Sequence, residues 1–390
     1  MNNSSTRIVI ITLFVLAVLS GYNYFQRPFL KYFENQQVEQ NIVVDEPTPI
    51  TPKEEIILSE LSTNEKIWQM ISLPVSLDNK EEASVSSEMT FIYENNPGFV
   101  TIFGSRINAE SVEDFTQALP FSKSGFSPLV AVDHEGGTVQ RLSGKGFSDL
   151  PSWEAVCSES TGKRRVIFEE SAKELRSVGV NIVFAPVIDV PREGSFLKSR
   201  ACESQLNLLD SAEDYINSFG SQGILSVVKH YPGIGSVTKD LHFYSEEIYT
   251  EPQDTAPFER IFTTFPNIGV MTAHVAVAGR TDGLPCSLSE ICLDPFPIHF
   301  PQAMVFSDAL EMKSAITQNE DGEDLSLAET TLLAVLAGND ILVFGEKVSY
   351  EELEEVVSLL GKEYDENPAV KETVDYSLRK ILDIKIQDEL

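Results

Sequence analysis

The stretch Leu225-Ser-Val-Val-Lys229 is a short apolar run that ends on a lysine, and the turn-forming residues Pro232, Gly233 and Gly235 follow it closely. Runs of this kind, rich in β-branched residues, are typical of parallel strands that are covered on both faces. Proline and glycine directly after such a run predict a loop that leaves the sheet. The stretch therefore indicates an α/β fold in which loops follow buried strands.

Seven further runs have the same character. They are Met70–Val75, Phe99–Phe103, Leu129–Asp133, Ile182–Ile188, Ile268–Thr272, Ala303–Ser307 and Ile341–Phe344. Amphipathic stretches between the runs predict helices, of which the clearest are Ala109–Leu119, Lys163–Val178, Leu206–Gln222, Leu325–Ala337 and Tyr350–Leu360. Eight strands alternating with helices predict a (β/α)₈ barrel of the TIM type. A doubly wound open sheet is the alternative.

The composition limits the partners. The chain has 390 residues, with 29 Lys+Arg against 60 Asp+Glu and a formal net charge of −31. Binding to nucleic acid needs clustered basic residues, so this charge argues against nucleic acid as a partner. Only five histidines occur, and neither His-x-His nor His-Glu-x-x-His spacing is present, so we expect no metal and no cofactor.

The N-terminal part differs from the rest of the chain. Residues 1–31 contain an uncharged apolar run, Ile8–Phe25, which predicts either a membrane anchor or a cleaved signal peptide. Residues 32–58 are polar and punctuated by proline, and we interpret them as a linker. The barrel is then expected over residues 59–390, outside the cytoplasm, with residues 8–25 as its only membrane contact, and as a monomer.

The four cysteines suit an exported protein. Cys157, Cys202, Cys286 and Cys292 are an even number, and an oxidising compartment permits disulfides. Three pairings are possible and the sequence does not choose among them. Four buried free thiols are the alternative.

Polar side chains recur where the predicted strands end. Asp133 follows one run, Lys229 and His230 follow another, and His274 and Asp308 follow two more. Active residues of (β/α)₈ barrels lie at the carboxyl ends of the strands. These side chains therefore predict a common pocket, although Asp308 could also serve as a helix N-cap.

Two residues in the loop after Lys229 suggest proton transfer. Asp240 and His242 are two positions apart, so a bend in the loop could bring the carboxylate against the imidazole. Such a pair orients the ring and poises it for acid–base chemistry near neutral pH. An ordinary surface loop is the alternative for this spacing taken alone.

At this point the chain resembles a known family. Lys229-His-Tyr-Pro-Gly-Ile-Gly235, followed by Asp240 and His242, is similar to a segment of family 3 glycoside hydrolases, and in particular of their single-domain bacterial β-N-acetylhexosaminidases. Further segments agree in order over roughly Leu61 to Lys385: Val132–Arg141, Phe184–Val190, Met271–His274, Phe306–Leu310 and a closing segment from Val374.

The resemblance implies a retaining hydrolase that removes terminal β-linked N-acetylglucosamine from glycans such as peptidoglycan fragments. Asp308 would be the nucleophile, and His242, oriented by Asp240, the general acid and base. The residues that would hold the sugar are Asp133, Arg141, Arg200, Lys229 and His230.

Two departures and several alternatives remain. The family usually has His where this chain has Ile234, and Ser where it has Leu241, and both positions lie in the loop that carries His242. A glucosidase or xylosidase activity, a catalytically weak sugar-binding relative, and a metal-dependent barrel hydrolase are the other classes. Whether water or phosphate accepts the sugar also stays open.

Overall fold

The computed structural model describes residues 52–78, 82–120, 125–319 and 321–388. The predicted anchor or signal segment, residues 1–31, lies outside the described residues, as does the linker up to residue 51. Within the described ranges, no helix combines the length and the apolar character that a membrane crossing requires.

Eight parallel strands form the central sheet. They are Ile71–Ser76 (β1), Phe99–Phe103 (β2), Leu129–Val132 (β3), Ile182–Val183 (β4), Leu225–Tyr231 (β5), Gly269–Thr272 (β6), Met304–Ser307 (β7) and Leu342–Val343 (β8). Their spatial order is β7-β6-β5-β4-β3-β2-β1-β8. The amide of Ser307 in β7 donates to the carbonyl of Ile341, 2.9 Å away and just before β8, so the sheet closes almost completely. The predicted barrel is confirmed, and the open-sheet alternative is wrong.

Each of the eight predicted runs overlaps one of these strands, but β4 is shorter than expected. The prediction covered Ile182–Ile188, whereas the strand ends at Val183. Pro186 interrupts the ladder because it has no amide hydrogen to donate. Pairing resumes only as a single bridge between Val187 and Lys229.

Helices cover the outside of the sheet. They are Pro52–Glu60 (α1), Thr63–Met70 (α2), Glu82–Asn95 (α3), Ala109–Ala118 (α4), Trp153–Cys157 (α5), Thr161–Ser177 (α6), Gln205–Gly220 (α7), Pro252–Thr264 (α8), Glu290–Leu293 (α9), Pro295–His299 (α10), Leu327–Ala337 (α11), Tyr350–Glu366 (α12) and Pro368–Asp388 (α13). The five clearest predicted helices and the closing helix are among them. The sequence did not single out α8, whose interior contains Pro257, a residue that normally argues against a helix.

Capping boxes define where several helices begin. The hydroxyl of Ser326 accepts from the amide of Glu329 at the start of α11, and the Glu329 carboxylate accepts from the amide of Ser326. Ser349 and Glu352 repeat this arrangement at the start of α12. Each box satisfies two backbone donors that have no partner within the helix, so these starts are encoded locally.

The predicted linker is too long at its C-terminal end. It was expected to reach residue 58, but α1 begins at Pro52, and Leu58 is only 5% exposed and joins the hydrophobic core. Proline is well tolerated at the first position of a helix, where its missing donor costs nothing. The proline-rich composition therefore hid a helix start.

All four cysteines are disulfide-bonded, as Cys157–Cys202 and Cys286–Cys292. The first bond joins α5 to the segment that follows β4, and the second closes a short loop between β6 and β7. All four residues are buried. The alternative of four free thiols is wrong.

Lys385, near the end of α13, is buried: only 2% of the residue is exposed. Its Nζ donates to Oε1 of Gln69, 2.9 Å away, and lies 5.8 Å from the ring centroid of Phe99. Burial lowers the pKa of Lys385 to about 7. The folded chain therefore releases this proton in a pH range where the unfolded chain still holds it.

We predict a pH-dependent stability difference between the wild type and Lys385→Met. Between pH 7 and about 10 the unfolded chain binds more protons than the folded one, so the stability of the wild type rises with pH through this group. The free energy of unfolding of the wild type, minus that of Lys385→Met, should rise by up to about 1.4 kcal/mol per pH unit over this range. Chemical denaturation at several pH values measures it.

The matched control is Lys362→Met, because the Lys362 side chain is 62% exposed on α12. This variant should follow the wild type across the same pH range. A Lys385→Met curve parallel to the wild type between pH 7 and 10 would contradict the prediction.

Candidate active site

The strand ends bring the predicted site residues to one end of the barrel. Asp133 comes directly after β3, Lys229 and His230 lie in the last part of β5, and Asp308 follows β7. His274 comes two residues after β6. All of them lie at the carboxyl end of the sheet, which is where (β/α)₈ enzymes carry their active sites.

Lys229 is the buried centre of a charge network. Its Nζ lies 2.8 Å from Oδ1 of Asp133 and 2.7 Å from Oε1 of Glu135, and its side chain is 3% exposed. Burial alone would lower the pKa of Lys229, but the two carboxylates raise it above its ordinary value. The lysine therefore stays charged, and it fixes two acidic side chains at the base of the pocket.

Asp133 also faces a second cation. Arg141 donates through Nη2 to Oδ2 of Asp133 at 3.2 Å, and the arginine side chain is 36% exposed. Burial would raise the pKa of Asp133, but Lys229 and Arg141 outweigh it and hold that pKa below its usual value. Asp133 is thus an anion whose two oxygens are both engaged by cations.

Arg200 completes the network from the segment after β4. Its Nε and Nη2 donate to the two oxygens of Glu135 at 2.8 and 2.9 Å, a two-point contact that fixes the guanidinium plane. Burial opposes ionisation of both partners, but the attraction prevails: the pKa of Glu135 is lowered and that of Arg200 is raised. The Cys157–Cys202 disulfide ties the chain two residues further on.

His230 is oriented by a buried carboxylate. Asp189, which is fully buried, accepts from Nδ1 of His230 at 2.8 Å and from its backbone amide at 3.1 Å. Nε2 of His230 lies 3.5 Å from Nη2 of Arg200. Because a guanidinium only donates, Nε2 is the acceptor and Nδ1 carries the proton.

Asp189 also anchors the loop after β5. Its second oxygen accepts from the amide of Ile234 at 2.8 Å. A side chain at Gly235 would place its Cβ 1.7 Å from the carbonyl oxygen of Val190, so only glycine fits there. Gly233 has a φ of +115°, which other residues rarely adopt. Both positions therefore require glycine for the loop to adopt this path next to Asp189.

The loop then carries the predicted dyad. Nδ1 of His242 lies 2.7 Å from Oδ1 of Asp240, and the same oxygen accepts from the amide of His242 at 3.0 Å. The side chain of His242 is 64% exposed and that of Asp240 is 44% exposed. Burial would raise the pKa of Asp240, but the contacts with His242 lower it, and Arg200 adds to this. The imidazole of His242 is thus held through Nδ1 and remains largely exposed to solvent.

Asp308 lies where β6 and β7 end. Its amide donates to the carbonyl of Thr272 at 3.0 Å, and its Oδ1 accepts from the amide of Ala309 at 2.8 Å. The buried His274 donates through Nε2 to the carbonyl of Ala309 at 3.0 Å, while the Ser287 hydroxyl donates to Nδ1 at 2.6 Å. His274 thus supports the backbone beside Asp308.

Asp308 and His242 act on the same buried groups. Burial lowers the pKa of His274; Asp308 partly opposes this, whereas His242 adds to it. Burial raises the pKa of Glu311, with Asp308 acting in the same sense and His242 in the opposite one. Both residues therefore lie within electrostatic reach of the same two side chains, His274 and Glu311.

The sequence analysis missed two members of this site. Glu135 lies within the segment Val132–Arg141 but has no predicted role, although its contacts with Lys229 and Arg200 make it a central anion of the site. Asp189 lies in the segment Phe184–Val190 but has no predicted role. It comes near the end of the predicted strand Ile182–Ile188, as Asp133 does for the strand before it, and this position could have identified it as a site residue. Elsewhere, no cluster of three or more His, Cys, Asp or Glu in the described ranges has the arrangement of a metal site.

Comparisons with known proteins agree with this geometry. The model of the glycosyl hydrolase family 3 N-terminal domain matches residues 62–383. A curated beta-hexosaminidase of Thioalkalivibrio sulfidiphilus is 34% identical over 266 residues, which cover 62% of this chain and 73% of that protein. The beta-hexosaminidase LpqI of Mycobacterium tuberculosis is 28% identical over 293 residues, covering 70% of this chain and 72% of that one.

Solved structures share the fold. A beta-N-acetylhexosaminidase of Beutenbergia cavernae superposes with a TM-score of 0.71 at 23% identity, covering 84% of this chain and 99% of the other. The structure of M. tuberculosis LpqI gives a TM-score of 0.71 at 22% identity, covering 85% and 96%. With a family model that matches most of the chain, and a barrel that places polar residues at its carboxyl end, the chain belongs to glycosyl hydrolase family 3 and is a glycoside hydrolase.

Proposed function

We propose that this protein is a retaining β-N-acetylhexosaminidase that removes terminal, non-reducing β-linked N-acetylglucosamine from glycans. The observation that carries the proposal is that Asp308, which follows β7, and His242, which is paired with Asp240, both act electrostatically on the same side chains, His274 and Glu311. A carboxylate and a proton-transfer group at one pocket are what a two-step glycosidase needs. The names of the relatives support the amino-sugar specificity.

In the first step, a carboxylate oxygen of Asp308 attacks the anomeric carbon while the bond to the leaving oxygen breaks. Nε2–H of the His242 imidazolium gives its proton to that oxygen, which leaves a neutral imidazole whose Nδ1–H stays bound to Asp240 and keeps the ring oriented. The sugar is then an ester on Asp308. In the second step, water attacks the same carbon, His242 takes the proton of the water, and the Asp308 carboxylate is released.

The buried network supplies the binding surface. Asp133 accepts from sugar hydroxyls, and Arg141, Arg200 and Lys229 donate to them, with His230 oriented toward the same space by Asp189. Because these groups already hold one another in place, little side-chain entropy is lost when a sugar binds. A β-glucosidase or β-xylosidase with the same mechanism is the second candidate, since hydroxyl binding alone does not require an acetamido group.

We further propose that the folded part acts outside the cytoplasm, anchored through residues 8–25 or released after cleavage of a signal peptide. The support is the pair of disulfides, which persist in oxidising compartments and are rare in the cytosol. The uncharged N-terminal run is consistent with export.

The first prediction of the proposed function concerns the catalytic pair. With 4-nitrophenyl β-N-acetylglucosaminide, Asp308→Ala should lose about 10³-fold or more in kcat, because the covalent step is removed. His242→Ala should lose about 10²- to 10⁴-fold with a chitobiose substrate and less with the nitrophenyl substrate, whose leaving group needs little protonation. Azide should partly restore turnover by Asp308→Ala and give an α-glycosyl azide.

Asp114→Ala is the matched control, since Asp114 is exposed on α4, and it should keep wild-type turnover. Wild-type activity in Asp308→Ala would overturn the nucleophile assignment. Higher kcat/KM for the β-glucoside or β-xyloside than for the N-acetylglucosaminide would overturn the amino-sugar assignment. A requirement for phosphate would replace hydrolysis by phosphorolysis.

The second prediction concerns Glu135. Glu135→Gln keeps the shape of the side chain but leaves Lys229 and Arg200 without a shared anion. We expect a free energy of unfolding lower by about 3–5 kcal/mol at pH 7, because a buried charge pair is broken, and a higher KM. The pKa of Glu135 is lowered in the folded state. Its contribution to the free energy of unfolding is therefore present at neutral pH and declines as the pH falls below about 4.5.

Glu354→Gln, on the exposed side of α12, is the control and should leave both stability and KM unchanged. Denaturant titration at pH 7 and pH 3.5 measures the difference. A stability loss that is equal at the two pH values would contradict the ionic role of Glu135.

The third prediction tests export. Thiol labelling of the denatured full-length protein, taken directly from cells, should give no label without reductant, because all four cysteines are oxidised. A variant without residues 1–31 should stay in the cytoplasm, and its cysteines should react with the thiol label.

Replacing Cys157 and Cys202 together by Ala should lower the free energy of unfolding by about 2–4 kcal/mol. In the labelling experiment, labelled thiols in the full-length protein without reductant would overturn the proposed location.

A further inference from the structure

We propose that the groove between the loop after β5 and the loop after β7 binds the leaving-group side of an oligosaccharide, so that the preferred substrates are chains of three or more sugars. The proposal rests on the proposed function, because it places the leaving oxygen at His242. It adds a binding site and a substrate length to that function.

Two exposed aromatic side chains follow the proposed acid directly. Phe243 is 60% exposed and Tyr244 is 54% exposed, although large apolar side chains are usually covered. The ring centroids of Phe243 and His242 are 6.4 Å apart. The amides of both aromatic residues donate to the carbonyl of Asp240 at 3.1 Å, so the backbone turn that sets the dyad also sets the aromatic pair.

A groove of about 400 Å³ reaches this loop at Ser245. One wall contains Ser245, the residue after Tyr244. The other wall belongs to the loop that begins after Asp308. The lining residues are Ser245, Lys313, Ile316, Thr317, Gln318 and Asp324. The two loops that carry the proposed acid and nucleophile thus extend into the two walls of one groove.

The chemistry of the groove suits pyranose rings. A sugar ring has an apolar C–H face, which packs on aromatic rings, and a polar rim of hydroxyls, which needs donors and acceptors. Lys313, Thr317 and the hydrogen-bonded pair Gln318–Asp324 offer polar groups around the apolar side chain of Ile316, and the exposed Phe243, two residues before Ser245, offers an apolar face outside the lining itself. The volume exceeds that of one pyranose, so the groove accommodates more than the first leaving-group sugar.

The aromatic pair has a further contact that keeps it in place. Nζ of Lys239 lies 5.7 Å from the centroid of the Tyr244 ring, a cation–π contact within the same loop. Tyr244 is thus held from one side by its own loop, and Phe243 remains the more exposed of the two rings. We therefore assign the principal stacking contact to Phe243.

The experiment compares three substrates of the full-length enzyme: the β-fluoride of N-acetylglucosamine, the β-1,4-linked disaccharide of N-acetylglucosamine and the corresponding trisaccharide. The fluoride has a one-atom leaving group that cannot fill the groove. For the wild type, kcat/KM should be about tenfold higher for the trisaccharide than for the disaccharide. Phe243→Ala and Lys313→Ala should each lower trisaccharide kcat/KM about five- to tenfold and change fluoride kcat/KM less than twofold.

The matched control is Tyr93→Ala, because Tyr93 is 73% exposed on α3. This variant should leave kcat/KM unchanged for all three substrates. Equal losses for the disaccharide and the trisaccharide in Phe243→Ala would show that Phe243 acts only through His242, because both sugar leaving groups need its proton, and would overturn the inference. So would unchanged trisaccharide kinetics in both variants. Failure of the wild type to hydrolyse any of the three substrates would instead overturn the proposed function, and the inference with it.

Discussion

The active end of this barrel depends on the burial of Lys229. A lysine that is almost completely removed from water must either lose its proton or be matched by anions, and Asp133 and Glu135 match it at 2.8 and 2.7 Å. Glu135 then requires a second cation, which Arg200 provides. Three separate chain segments, after β3, in β5 and after β4, are thus fixed relative to one another by charge compensation. The apolar barrel core cannot supply this positional information, because hydrophobic contact has no direction.

The same compensation explains how so acidic a chain can present donors to a neutral sugar. The formal charge of −31 is a property of the whole chain, whereas the pocket contains the cations Arg141, Arg200 and Lys229, each paired with a carboxylate. Pairing removes most of the net charge but leaves donors and acceptors in fixed directions. A neutral hydroxylated ligand is recognised by such directions rather than by net charge.

The sequence predicted the strands and the strand-end residues well, for a physical reason. Strands covered on both faces must be continuously apolar, and a polar residue at the end of such a run is easily recognised, as with Asp133 and Asp308. Glu135 was harder, because the adjacent Gly136, with a φ of +95°, does form a turn. A turn and a buried anion were both encoded in the same short segment. The cysteine pairing depends on which loops meet above the sheet, and no local pattern contains that information.

The dyad loop combines two opposite requirements. His242 must reach solvent and substrate, and it is 64% exposed, yet its neighbour Leu241 is 3% exposed and Ile234 earlier in the loop is 1% exposed. These are the two positions where the resemblance to the family implies polar residues, His and Ser. Here the apolar side chains join the hydrophobic core and hold the loop at two points on either side of its turn. Burial of a leucine or isoleucine contributes about 1.5–3 kcal/mol each, enough to favour one loop position strongly. The replacements therefore leave the Asp240–His242 pair intact and strengthen the attachment of the loop that presents it.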